Sequence, residues 1–114
     1  MKVIIAGTRT LTNWQFFVDL LDTVDRSQWT EVVSGGAYGA DEFGERYAAI
    51  HNIPVRVFPA DWKKYGNAAG PIRNKQMAEY ADALVAVWDG KSRGTKNMID
   101  TAISMGLDVK VLNY

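Results

Sequence analysis

Five short apolar runs divide the chain: Lys2–Ala6 (KVIIA), Glu31–Ser34 (EVVS), Pro54–Phe58 (PVRVF), Ala83–Trp88 (ALVAVW) and Asp108–Leu112 (DVKVL). They are rich in Val, Ile and Leu and nearly continuous rather than strictly alternating, the pattern of strands buried on both faces of a parallel sheet. Between them the period changes to that of helices. Thr12 with Gln15 reads as a capping box, followed by an apolar face of Trp14, Phe17, Val18, Leu21 and Val24. A second helix over 40–52 carries Phe43, Tyr47 and Ile50. A third, over 72–81, is weaker, with Ile72, Met77 and Tyr80. The fourth, over 95–105, carries Met98, Ile99, Ala102 and Ile103 and is closed by Gly106 at a left-handed C′ position.

Strands that alternate with helices, each connection long enough for a crossover, predict an α/β fold. The expected architecture is one Rossmann-like three-layer domain over residues 1–114, with five parallel strands in the order 3-2-1-4-5 and helices on both faces. In that order the crossovers leaving the first and fourth strands diverge to opposite faces. They open a crevice beyond the strand C-termini, where ligands bind in such sheets.

Three loops meet at that crevice. The first is Gly7-Thr8-Arg9-Thr10. The second is Ser34-Gly35-Gly36-Ala37-Tyr38-Gly39-Ala40-Asp41, and the third is Trp88-Asp89-Gly90-Lys91-Ser92-Arg93-Gly94-Thr95. Glycines at a strand-to-helix turn bring backbone N–H groups close to an anion, and a helix N-terminus adds partial positive charge. Alternatively such glycines merely make tight turns, but three small or polar loops converging on one crevice favour a phosphate site. It is neither a P-loop, since Val85 stands where the leading glycine belongs, nor a GxGxxG fingerprint. A fourth element, Gly70-Pro71-Ile72-Arg73-Asn74, puts a bend at Gly70 and Pro71 and Arg73 in the first turn of a helix. There the guanidinium either clamps an anion or pairs with Glu79 or Asp82.

Composition narrows the chemistry. Thirteen Lys and Arg balance thirteen Asp and Glu, so no global field draws the chain to nucleic acid. There is no cysteine and a single histidine, His51 near a helix end, which excludes disulfides and Cys/His zinc sites; no metal or other cofactor is evident. No apolar run spans a bilayer and no signal-peptide pattern opens the chain, so a cytoplasmic protein without a membrane partner is expected.

The segments VIIAGTR, VVSGGAYGADEFGERYA and FPADWKKYGNAAGPIRNKQMAEYADALVAVWDGKSRGTKNMI resemble the SLOG superfamily, and within it the small stand-alone YspA-type, YpsA-related branch. The resemblance covers nearly the whole chain. It implies a Rossmann-like domain that binds a nucleotide or nucleotide-derived ligand, and a homodimer. The superfamily includes the "lonely guy" phosphoribohydrolases and the DNA-processing-A single-strand DNA binders. The phosphoribohydrolase Arg-x-x-x-Met element resembles Arg73 to Met77, and its Pro-Gly-Gly-x-Gly-Thr-x-x-Glu motif resembles the segment ending at Gly94-Thr95-Lys96-Asn97-Met98. The phosphate-holding Gly-Thr is kept, whereas the glutamate that assists glycosidic cleavage falls on Met98.

The ligand-binding candidates are therefore Gly7, Thr8, Arg9, Ser34, Gly35, Gly36, Ala37, Gly39, Asp41, Arg73, Asn74, Trp88, Asp89, Gly94 and Thr95. Arg73, Asp89 and Asp41 are the catalytic candidates. Asp89 is placed to contact a ribose hydroxyl, and Asp41 at a helix start reads first as an N-cap. Trp88 either stacks on a purine or seals the sheet. The polar stretch 59–69, with Trp62 and Tyr65, is expected to fold over the ligand or against a second subunit. Three functions remain in view: a nucleotide-binding sensor or sequestering module, a nucleotide N-glycosidase, and, disfavoured by the charge balance, a single-strand nucleic-acid binder.

Overall fold

The computed structural model describes residues 1–114. Its elements are β1 (Lys2–Gly7), α1 (Trp14–Leu21), β2 (Glu31–Ser34), α2 (Ala40–Ile50), β3 (Val55–Val57), α3 (Trp62–Tyr65), a 3-10 turn (Gly66–Ala68), α4 (Ala69–Tyr80), β4 (Ala83–Trp88), α5 (Arg93–Ser104) and β5 (Asp108–Asn113). The strands form one all-parallel sheet in the order β3-β2-β1-β4-β5. The fold class and strand order are those expected.

Because side chains of a strand alternate between faces, each central strand feeds two cores. Val3, Ile5, Val32, Val85 and Val87 pack with Phe17 and Leu21 of α1 and Tyr47 and Ala48 of α2. On the other face, Ile4, Ala6, Val33, Leu84 and Ala86 pack with Met77 and Ala78 of α4 and Met98, Ile99 and Ala102 of α5. The helices following β1 and β4 thus leave to opposite faces, and the crevice opens between them.

Several local expectations are corrected. Burial on both faces holds for β1, β2 and β4 but not for the edges: all three residues of β3 are exposed, and β5 is half-exposed. β3 is also shorter than the apolar run, although Pro54 C=O and Phe58 N–H still bond to β2. Asn13, not Thr12, caps α1, its side chain accepting from Phe16 N–H at 3.0 Å, while Gln15 turns to Asp19. α1 ends at Leu21, so Val24 packs from the following turn. In α2 the buried arc runs through Ala40, Gly44, Tyr47 and Ala48, with Gly44 letting the helix lie close on Ile5 of β1, and Ile50 falls outside it. In α5, Ile103 lies off the arc of Thr95, Met98, Ile99 and Ala102 and is exposed. Gly106 does take φ 80° beyond the end of α5.

The stretch 59–69 is not a loop throughout. Asp61 caps the single turn α3, accepting from Lys64 N–H at 3.1 Å, and the 3-10 turn runs straight into α4. α4 therefore begins at Ala69, ahead of the expected start. Gly70 lies within the helix rather than forming a bend before it, and Arg73 stands in the second turn.

Candidate functional site

Two cavities lie side by side at the strand C-termini. The first, of about 300 Å³, is enclosed by the end of β1, the start of α5, one face of α4, Asp41 of α2 and Trp62 of α3. The second, of about 360 Å³, lies over the glycine loop after β2 and is walled by Tyr38, Pro59 and Trp62. Arg9, Ala37, Trp62 and Arg73 line both.

Arg73 is 8% exposed. Its Nη1 donates to Gly35 C=O at 2.6 Å and its Nε to Asn74 Oδ1 at 3.0 Å. Glu79 and Asp82 take no part, so of the two readings of Arg73 the surface pairing is not the one adopted, and the side chain is anchored across the crevice instead. Nη2 makes no bond to the protein, yet no side-chain nitrogen or oxygen is both fully buried and unpartnered. That edge of the guanidinium therefore keeps some exposure while lacking a partner in the protein. Burial lowers the Arg73 pKa, Asp41 raises it, and the neighbouring charge of Arg9 lowers it further. Asn74 carries the network onward, its Nδ2 donating to Asn97 Oδ1 at 2.9 Å and, at 3.4 Å, to Gly94 C=O. A Cβ at Gly35 would come within 2.6 Å of Arg73 Nη1 and 2.8 Å of Asp41 Oδ2, so a side chain there would displace one or both of these groups.

Asp41 is 5% exposed and is the one carboxylate lining the first cavity. Gly39 is the N-cap of α2, and Asp41 is the second helical residue, so it is not the cap the sequence implies. Its Oδ2 accepts from Ala37 N–H at 3.3 Å. Burial pushes the Asp41 pKa up to about 6, against the opposing pull of Arg73 and of the Ala37 and Gly7 N–H groups.

The two glycine turns are not equivalent. In the loop after β2, Gly36 N–H donates to Ser34 Oγ at 3.1 Å and Ala37 N–H to Asp41, so these amides are already satisfied. Ser34 is itself buried, its hydroxyl donating to Glu45 Oε2 at 2.8 Å. At the start of α5, Ser92 caps Thr95 N–H at 3.4 Å and pairs with the Thr95 hydroxyl at 3.0 Å. The N–H groups of Arg93 and Gly94 have no acceptor in any loop or side chain. Among the residues that line the first cavity, Arg93 and Gly94 at the start of α5 keep free N–H groups, whereas the Ala37 N–H of the glycine loop is taken up by Asp41.

Other candidates serve as scaffold. Asp89 Oδ1 accepts from Lys91 N–H at 2.8 Å and Ser92 N–H at 2.9 Å, bonds that hold its carboxyl below the usual range, and it lines neither cavity. Thr8 is buried and joins three loops: its hydroxyl accepts from Asp89 N–H and its carbonyl from Ala40 N–H. Trp88 packs on the second core and donates from Nε1 to Ser92 C=O at 3.0 Å, away from both cavities. Gly7 and Thr95 line the first cavity, Gly36 the second, and Gly39 neither. Asn67 and Asn97 stand on the first wall, and so do Ser92 and Arg93 of the third loop, although none of the four is among the binding candidates. Ser92 was findable, as a serine three residues before Thr95 at a helix start.

Strand order and divergent crossovers define an open doubly wound, Rossmann-like α/β domain, with a crevice at the strand C-termini lined by arginines and a helix N-terminus. The family model of the YspA, cpYpsA-related SLOG family matches residues 1–65. The gene 61 protein of Mycobacterium phage D29 is 34% identical over 116 aligned residues, covering 95% of this chain and 93% of the phage protein. No solved structure matches significantly. The chain belongs to the YspA, cpYpsA-related SLOG family. None of its helices is long and apolar enough to cross a membrane.

Proposed function

We propose that the protein binds a nucleotide or nucleotide-derived phosphate in the first cavity, as a sensor or sequestering module. The observation that carries this reading is that Arg93 and Gly94, whose amides are unpartnered, line the same cavity as Arg9 and Arg73. Amide donors at a helix N-terminus and planar cationic forks are the groups that hold phosphoryl oxygens. Family membership supports the nucleotide part of the reading.

The test is a thermal and calorimetric comparison of wild type and Gly94→Asp with AMP. A Cβ at Gly94 meets nothing within 4 Å, and an acid in the first helical turn favours the helix itself, so the variant folds. At a hundredfold excess over Kd, AMP should stabilise the wild type by about 2.7 kcal/mol, and the variant should lose most of that gain. Equal stabilisation of both proteins, or of neither, overturns the reading.

A second reading, hydrolysis of the N-glycosidic bond, is favoured by Asp41 alone. It is a buried carboxylate on the cavity wall, available to stabilise a ribosyl oxocarbenium in a site whose family-like glutamate position is Met98. Free base released by wild type but not by Asp41→Asn supports it; intact nucleotide after prolonged incubation refutes it.

A further inference from the structure

The second cavity adjoins the one lined by the start of α5. It shares Arg9 and Arg73 with the first, and these two residues stand on the partition between them. Neither is in an ion pair; the ion pairs of the chain are Arg26–Asp22 and Lys96–Asp100, both on the outside of the molecule. Arg73 is more than nine-tenths buried with an unbonded guanidinium edge, and Arg9 is close enough to depress its basicity. Arg9 is exposed and bonds to no other side chain, so its guanidinium and the unbonded edge of Arg73 are both available to an anion at the partition.

Beyond the partition the chemistry changes. The second cavity contains no carboxylate. It exposes the backbone of the glycine loop and two aromatic rings: Tyr38, 81% exposed, and Trp62, 50% exposed. The Trp62 ring lies 5.9 Å from the Arg9 guanidinium, and Tyr38 stacks on no other aromatic side chain. Exposed rings on the wall of a concavity offer a planar partner a face on which to stack. Each cavity alone is at the lower end of the size range for small-molecule sites, whereas a ligand crossing the partition occupies a site well inside that range.

We propose that the two cavities form one site for a diphosphate-bridged ligand with two arms: a nucleoside in the first cavity, a bridge from the α5 amides to Arg9 and Arg73, and a second planar heteroaromatic arm over the glycine loop against Tyr38 and Trp62. This rests on the phosphate-binding reading and adds a ligand class, the dinucleoside diphosphates, to it.

Isothermal titration with AMP, ADP and diadenosine 5′,5′-diphosphate tests each part. ADP should bind about tenfold more tightly than AMP, and Arg9→Ala should abolish that difference. The diadenosine compound should bind about tenfold more tightly again. That second gain should vanish in Tyr38→Ala and return in Tyr38→Phe, which keeps the ring. If the wild type binds AMP, and Gly94→Asp weakens it, but ADP and the diadenosine compound gain nothing, the two-armed site is wrong and the phosphate reading stands. If none of the three binds, both are wrong.

Discussion

The side chain that most distinguishes this site is Asp41, a carboxylate kept in a place where ionisation is costly. Its pKa rises from 3.8 to about 6 on folding, chiefly through burial. The folded chain therefore holds a proton that the unfolded chain has released between those values, and the stability linked to this residue falls as pH rises through that window. A shift of this size corresponds to on the order of 3 kcal/mol. Measured by urea unfolding at pH 4.5 and pH 7.5, wild type should lose more stability across the interval than Asp41→Asn, by about 2 kcal/mol. Parallel pH profiles would show that the carboxylate is solvated rather than desolvated. The same residue sets a limit on sequence reading. Its position after a glycine loop signals a cap, but Gly39 occupies the cap and the Asp41 carboxylate turns back to Ala37.

At the scale of elements, the site depends on how firmly α2 and α4 are seated. α2 is anchored by Tyr47, whose ring is 1% exposed in the first core. Its hydroxyl donates to Asp22 Oδ1 at 2.7 Å and accepts from Arg26 Nη1 at 3.0 Å, joining the helix to the turn after α1. Burial, aided by Asp22, pushes its pKa up to about 12, so it remains a donor at any ordinary pH. Tyr47→Phe should cost about 1–2 kcal/mol with an unchanged denaturant m-value; an unshifted midpoint would mean that water replaces both bonds without loss. α4 shows why its periodicity was faint in the sequence. Its buried face consists of Arg73 and Asn74 as well as Met77 and Ala78, so polar residues occupy positions where the pattern expects apolar ones. Those residues are buried because they bond to Gly35 and Asn97, on elements far away in the chain.

Across the whole molecule, the segment between β3 and α4 connects the two cavities. Trp62 lines both, while Lys63 and Lys64 of the same short helix are exposed to solvent. If this segment folds over ligand, saturating AMP should slow tryptic cleavage after these lysines several-fold, in line with ligand-coupled suppression of local opening. An unchanged rate with and without nucleotide, at every protein concentration, removes both the lid and the subunit-contact expectation. The balance of charge has a local counterpart here: the sum over the chain is zero, yet the cavities gather arginines around a single carboxylate. What the amino-acid order alone determined was the alternation of strand and helix, the strand order and the loops that reach the crevice. These follow from hydrophobic period and connection length, which are local properties. What only the tertiary structure decided was which polar groups remain free to meet a ligand. The amides of Gly36 and Ala37 are taken up by Ser34 and Asp41, those of Arg93 and Gly94 are not, and the Arg73 guanidinium is held by a carbonyl 38 residues away. Hydrogen bonding is a competition among all groups within reach, and the reach of each group is known only after the chain has folded.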